Sequence, residues 1–235
     1  MQLFKEANRM LNQLDAVYQT HGVVNIMDAN ADGDDLLLNG KRFPLLRQQA
    51  AKLKKDDPFL CLSDFVRPLS SGITDKIGAF ATTVDAEMEQ LYAEDDYKRM
   101  LVQTLSDRLA EATAEKLHED VRKKLWGYAP DENLSVKDLH NEKYQGIRPA
   151  VGYPSLPDQS INFLLDELLD MKQIGISLTE NGMMKPHASV CGLMFAHPAS
   201  RYFSIGKIGE DQLADYAARR GMSIEETKKF LAANL

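Results

Sequence analysis

The sequence predicts an α+β fold, with helices flanking a mainly antiparallel sheet and a helical middle region. Three observations carry this. Short apolar runs bounded by turn signals cluster near residues 20–40, 75–85 and 175–210; helical periodicity runs through 1–17 and about 85–126; and capped helices close the chain after residue 209. With 235 residues, 44% hydrophobic and 27% charged, the chain can bury a core as one domain, 1–235, without a disulfide or metal staple. A net charge of −7 argues against nucleic-acid binding, whose footprint is a basic stripe. No apolar run has the length needed to span a membrane, and "MQLFKEANRMLNQL" is an amphipathic helix start rather than a signal peptide. Cys61 and Cys191 stand far apart in apolar surroundings, with no CxxC pair. They read as buried reduced thiols, which suits a cytoplasmic location.

Taken in order, Leu3, Phe4, Ala7, Met10, Leu11, Leu14 and Val17 make a helical stripe. "VVNIM", "NADGDD" and "DLLL" read as strand, turn and strand; "DANADGDD" lacks the closing glutamate of a calcium loop. "RFPLLRQQAAKL" is expected to be a short helix, and "FLCLSDFVRP" an apolar strand interrupted by Asp64. That carboxylate either caps a turn at the strand end or meets a ligand, because burying it unpaired is costly. "IGAFATT" is a candidate strand. The helical region from about Asp85 to Trp126, broken once, carries an apolar stripe of Leu101, Leu105, Leu109, Ala112, Leu117, Val121 and Leu125. Beside it, Asp107, Glu111, Glu115, His118 and Arg122 read as a solvated face. Ser135 and Asp138 announce a capped helix, a short helix within Asp158–Gly175 ends at glycine, and Asn181-Gly182 is a hairpin signal. "SVCGLMF" and "RYFSIGKIG" read as strands. Two final helices follow, the first ending at Gly221 and the second opening on a Ser223–Glu226 capping box.

"YQGIRPAVGYPSLPDQS", Tyr144 to Ser160, holds three prolines and two glycines and fits neither helix nor central strand. Pro149 and Pro154 fix its path, Gly152 permits a turn or a close approach, and Arg148 offers a two-point fork to a carboxylate. Tyr153 adds a ring and a hydroxyl. On these residues alone the segment is either a binding loop for a zwitterionic amino acid bearing a flat group or a structural crossing.

The whole chain resembles the C-terminal activation domain of cobalamin-dependent methionine synthase, through "RLAEATAEKLHEDVRKKLWGYAPDENL", "YQGIRPAVGYPSLPDQ", "LTENGMMKPHASVCGLMFAHPASRYF", "LSDFVRP" and "YAARRGMSIEETKKFLAANL". The resemblance implies a C-shaped molecule around a bent antiparallel sheet. It implies binding of S-adenosylmethionine and reductive remethylation of inactive cob(II)alamin to methylcobalamin. The cobalamin-binding module of methionine synthase and a flavodoxin-like or other reductase would be the partners; the alternative is a non-catalytic S-adenosylmethionine sensor or interaction module. Matching motifs put Arg148, Ala150, Gly152 and Tyr153 in the ligand loop, with Asp64, Glu111 and Tyr202 as further contacts. Arg148 then suits the methionyl carboxylate, the two acids an ammonium and hydroxyls, and the Ala150 backbone the adenine edge. Many family members have an aromatic residue after the tyrosine of "RYF"; Phe203 keeps the ring but offers no hydroxyl, and Met184 and Lys185 stand where an aromatic is often found. No D-x-H-x-x-G cobalamin motif is present, so the chain alone is not expected to make methionine.

Overall fold

The computed structural model describes residues 2–49 and 57–235. Helix α1 (Gln2–Asp15) leads into strand β1 (Thr20–Asp32), which turns through Gly33 and Asp34 into β2 (Asp35–Leu38) and then β3 (Lys41–Pro44). After two 3₁₀ turns, Leu62–Phe65 and Leu69–Ser71, comes β4 (Asp75–Val84). Helix α2 (Asp96–Asp120) continues into a π turn at Val121–Leu125. Helices α3 (Val136–His140) and α4 (Ile161–Leu169), a small hairpin β5 (Ser177–Leu178) and β6 (Met184–Lys185), and strand β7 (Ser189–Met194) follow. Helices α5 (Glu210–Arg220) and α6 (Ile224–Phe230) close the fold.

The main sheet is antiparallel throughout, five-stranded and curled, in the order β3-β2-β1-β4-β7. Strand β1 is long enough to serve two neighbours: Thr20–Ala29 pairs with β4 and Ala29–Asp32 pairs with β2. Strand β4 lies between β1 and β7 with both faces covered, so it reads as a run of apolar and small residues rather than an alternation. Ile77, Ala79 and Ala81 face the core cluster that contains Ile161 and Leu165 of α4. Phe80 faces Ala114 and Val121 at the α2 end, and Thr82 Oγ1 donates to Ala110 O at 3.0 Å.

The predicted α+β class, the β1–β2 hairpin, β4, and the caps at Ser135, Gly221 and Ser223 are all present, whereas α4 ends on Asp170 at φ 49° and Gly175 caps the 3₁₀ turn Met171–Ile174 that follows it. Four further expectations need correction. The first half of "RFPLLRQQAAKL" is not helical: Arg42 to Pro44 lies in the edge strand β3, with Leu45 and Leu46 following in opposite directions into two different core clusters. Residues 50–53 of that stretch lie outside the described residues. "FLCLSDFVRP" is not a strand, because Asp64 Oδ2 accepts from the Cys61 N–H at 2.8 Å and closes a 3₁₀ turn.

"RYFSIGKIG" is extended but joins no ladder. It is pinned one residue at a time: Phe203 N–H to Ser155 Oγ, Ile205 N–H to Pro154 O, and Ile208 N–H to Asn234 O. Finally, the buried line of α2 is Val102, Ser106, Ala110, Ala114 and His118, one position over from the predicted leucines; Ala112 and Leu125 are exposed. Small residues on that line let the helix approach β4 closely, while Leu101, Leu105 and Leu109 fill its flank beside Met10 and Leu14 of α1.

Candidate ligand-binding site

A cavity of about 570 Å³ opens between α2 and the segment 148–155, floored by Phe80, Ala114 and Val190. That size suits a nucleoside-sized ligand with its attached group. The wall segment is held against β7 by a short antiparallel bridge. Leu193 N–H donates to Pro149 O at 3.1 Å and Val151 N–H to Cys191 O at 2.9 Å. The residue between them, Ala150, therefore turns its own N–H and C=O away from β7. Gly192 makes the approach possible, since a Cβ there would lie 2.2 Å from Pro149 O and 2.8 Å from Ala150 Cα. Gly152, at φ +84°, then turns the chain so that its N–H reaches Leu156 O and Tyr153 is carried to the rim.

At the inner end, the Arg148 N–H donates to Tyr202 Oη at 3.0 Å. The Arg148 guanidinium donates from Nη1 to Tyr144 Oη at 3.0 Å and from Nη2 to Glu115 Oε2 at 2.5 Å. Behind it the Tyr144 ring lies between two cations, with the guanidinium carbons of Arg122 at 4.4 Å and Arg148 at 5.7 Å. Arg122 is fully buried and forms a two-point pair with Glu132 at 2.8 and 2.7 Å. His118 is buried too; desolvation first, then Arg122 and Arg148, hold its pKa well below the ordinary value, so it is neutral. Burial likewise raises the hydroxyl pKa of Tyr144, so this partner of Arg148 is protonated at neutral pH.

The π turn at Val121–Leu125 widens the helix end that seats Arg122 below Tyr144. The face expected to be solvated is thus wet only at its start: Asp107 is exposed, Glu111 and Glu115 are half-buried, and His118 and Arg122 are buried. The apolar cover over its far end comes from Trp126, Tyr128 and Tyr144, which lie up to 26 residues downstream of His118.

Of the predicted site residues, Glu111, Arg148, Ala150, Tyr153 and Tyr202 line this one cavity. Gly152 shapes the turn without lining it. Asp64 is not brought there: its two oxygens accept from Arg47 Nη2 at 2.7 Å and Nη1 at 2.8 Å, and it borders a separate depression with Phe65, Arg67 and His197. The sequence reading missed Glu142, Ser155 and Phe203 on the wall, and Tyr144 and Glu115 behind Arg148. Tyr144 and Ser155 lie in the 144–160 segment already marked as a candidate binding loop, Phe203 follows Tyr202, and Glu115 stands i+4 from Glu111 on α2, whereas Glu142 carried no signal. Both thiols are buried, and desolvation pushes Cys61 up to about 11 and Cys191 up to about 12.

An α+β domain with an apolar-floored cavity, an outward-facing backbone edge and an arginine at its inner end is a small-molecule binding module. The chain belongs to the family described as vitamin B12 dependent methionine synthase, activation domain, whose profile matches residues 1–221. It is also similar to a crystal structure of the MetH reactivation domain bound to AdoHcy, with 46% identity over 100% of this chain and 76% of that one and a TM-score of 0.92. Among the described residues no helix is long and apolar enough to cross a membrane.

Proposed function

We propose that this activation domain binds S-adenosylmethionine in the cavity between α2 and residues 148–155, and presents its methyl group to a cobalamin carried by a partner module of methionine synthase. The observation that carries the reading is the convergence of Arg148, Ala150, Tyr153, Tyr202 and Glu111 on one cavity. The residues fit the ligand. The outward N–H of Ala150 is placed for the adenine edge, beside a C=O that also accepts from the Tyr153 N–H at 3.3 Å. Arg148 suits the methionyl carboxylate, and Glu111, half-exposed beside Tyr153, is placed for a hydroxyl or ammonium. The Tyr153 and Tyr202 rings offer π faces to a sulfonium.

S-adenosylmethionine supplies an electrophilic methyl whose leaving group is a neutral thioether. An electron from a flavodoxin-like or other reductase completes the remethylation of cob(II)alamin, leaving S-adenosylhomocysteine. No proton needs to move at the sulfonium, so the protein's contribution is placement. Rigid prolines at 149 and 154 and the bridge to β7 supply a wall suited to it. The methyl transferase activity belongs to the assembly with the cobalamin module, in the cytoplasm, and not to this chain alone.

Titration calorimetry with S-adenosylmethionine tests the reading. The wild-type chain binds at one site, and Arg148→Ala weakens binding by roughly 2–3 kcal/mol, about 30- to 150-fold. Equal affinity in the two proteins would remove Arg148 from the site, and no binding by the wild type would sink the proposal.

A further inference from the structure

We propose that Glu115 is a positioning residue: together with Tyr144 it holds the Arg148 guanidinium in the orientation that receives an amino-acid carboxylate, and so sets selectivity for ligands bearing that group. The inference rests on the S-adenosylmethionine reading above. An arginine side chain is long and flexible, and it binds a carboxylate in a defined direction only when its planar head is fixed. Here the head is tied at two points, Nη2 to Glu115 Oε2 at 2.5 Å and Nη1 to Tyr144 Oη at 3.0 Å. His118 Nδ1 lies 3.4 Å from the same Nη1. Arg148 Nε makes no hydrogen bond among the described residues, so one edge of the fork remains available.

Glu115 does not itself line the cavity, whereas its helix neighbours Glu111 and Ala114 do. Its second oxygen, Oε1, is buried with no hydrogen-bond partner. A buried carboxylate oxygen without a donor is costly. An acid retained only for local structure would be expected to satisfy both oxygens, as Asp64 does with Arg47 and the Cys61 N–H. Glu115 leaves Oε1 unmet while Oε2 grips Arg148, which places its role at the guanidinium. Tyr144 is fixed in turn, with its ring against Arg122 at 4.4 Å and edge-on to His118 at 5.1 Å between centroids.

The sign of the effect separates positioning from charge. Glu115 offsets the charge of Arg148, so if charge alone mattered, removing the negative group would strengthen binding of an anionic carboxylate. Positioning predicts the opposite. The experiment measures the affinities of wild type, Glu115→Gln and Tyr144→Phe for S-adenosylmethionine and for 5′-methylthioadenosine, which keeps the nucleoside and thioether but lacks the amino-acid group. Glu115→Gln is expected to lose about tenfold or more on S-adenosylmethionine while its affinity for methylthioadenosine stays within about twofold; Tyr144→Phe shows the same selectivity at about threefold.

Equal losses on both ligands, no loss, or tighter S-adenosylmethionine binding by Glu115→Gln would overturn the proposal. Retained methylthioadenosine binding certifies a folded site, and if Glu115→Gln binds neither ligand, Tyr144→Phe, which removes a single oxygen, decides. Wild type failing to bind S-adenosylmethionine removes the ligand reading and this one together, whereas wild-type binding with indifferent variants removes this one alone.

Discussion

Arg47 with Asp64 and Arg148 with Glu115 are both arginine–carboxylate pairs at the end of an irregular segment, yet they do different things. Every edge of Arg47 is used by the protein: Nε donates to Asp34 at 2.7 Å, Nη1 to Phe59 O and Asp64 at 2.7 and 2.8 Å, and Nη2 to Asp64 at 2.7 Å. These bonds, Asp64 foremost, hold the Arg47 pKa above its usual value. Arg47 thus ties the β1–β2 turn, the 45–48 stretch and the 3₁₀ turn together. Arg148 donates from Nη1 to Tyr144 and from Nη2 to Glu115, but its Nε makes no hydrogen bond among the described residues and the side chain borders a cavity. The difference teaches that an acidic partner does not by itself tell an arginine tied wholly into the fold from one that keeps a donor unused beside a cavity.

A third pair sharpens the contrast and gives the largest expected effect. Arg122 with Glu132 is buried behind Tyr144, with side-chain exposures of 0% and 9%. Removing one member of such a pair leaves an uncompensated charge inside the protein. Arg122→Leu is expected to lower the unfolding free energy by about 3–5 kcal/mol, read from urea transitions. A loss below about 1 kcal/mol would mean that the wall behind Arg148 does not depend on the pair.

The next prediction sets the two half-exposed arginines directly against each other. Arg47→Met is expected to cost about 1–2 kcal/mol of stability and to leave S-adenosylmethionine affinity within about twofold, because its bonds are internal and partly screened. Arg148→Met is expected to reverse that order, with the larger effect on affinity. If Arg47→Met weakened the ligand as much as Arg148→Met, Asp64 would belong to the site after all.

These pairs also mark how far the sequence could be read. The rigid 144–160 segment, the β1–β2 hairpin and the helix caps depend on residues within a few positions of each other, and local chemistry dictates them. So does Asp64's hydrogen bond to the Cys61 amide, which the turn-capping alternative anticipated in kind while missing that the turn is its own. Whether Asp64 faces a ligand depends on Arg47, 17 residues earlier, in a stretch whose periodicity reads as helix. The burial of His118 and Arg122 depends on Tyr144, and the extended path of 201–209 depends on Ser155 and Pro154. Motif similarity placed Glu111, Arg148, Ala150, Tyr153 and Tyr202 on one cavity where spacing along the chain could not.

The smallest expected effect lies at the opposite end of β4 from these pairs. Asp85 joins the β1–β4 margin: its Oδ1 lies 2.7 Å from His21 Nε2, and its Oδ2 accepts from the Gln19 N–H at 2.8 Å. The His21 bond first, and the Gln19 amide second, lower the Asp85 pKa from the ordinary carboxylate value, against a small opposing effect of desolvation. A carboxyl whose folded pKa is depressed contributes stability that is fully present above the unfolded pKa, near 4, and is lost as pH falls through the folded value. The group is partly exposed, so solvent screening limits the contribution to about 0.5 kcal/mol. Wild type and Asp85→Asn should therefore differ by that amount in urea unfolding at pH 6, and the difference should shrink steadily below about pH 4. A difference that grew as the pH fell would reverse the sign and show that the carboxylate is not stabilised by its two partners. S-adenosylmethionine affinity should be the same in both proteins, since neither Asp85 nor His21 lines the cavity.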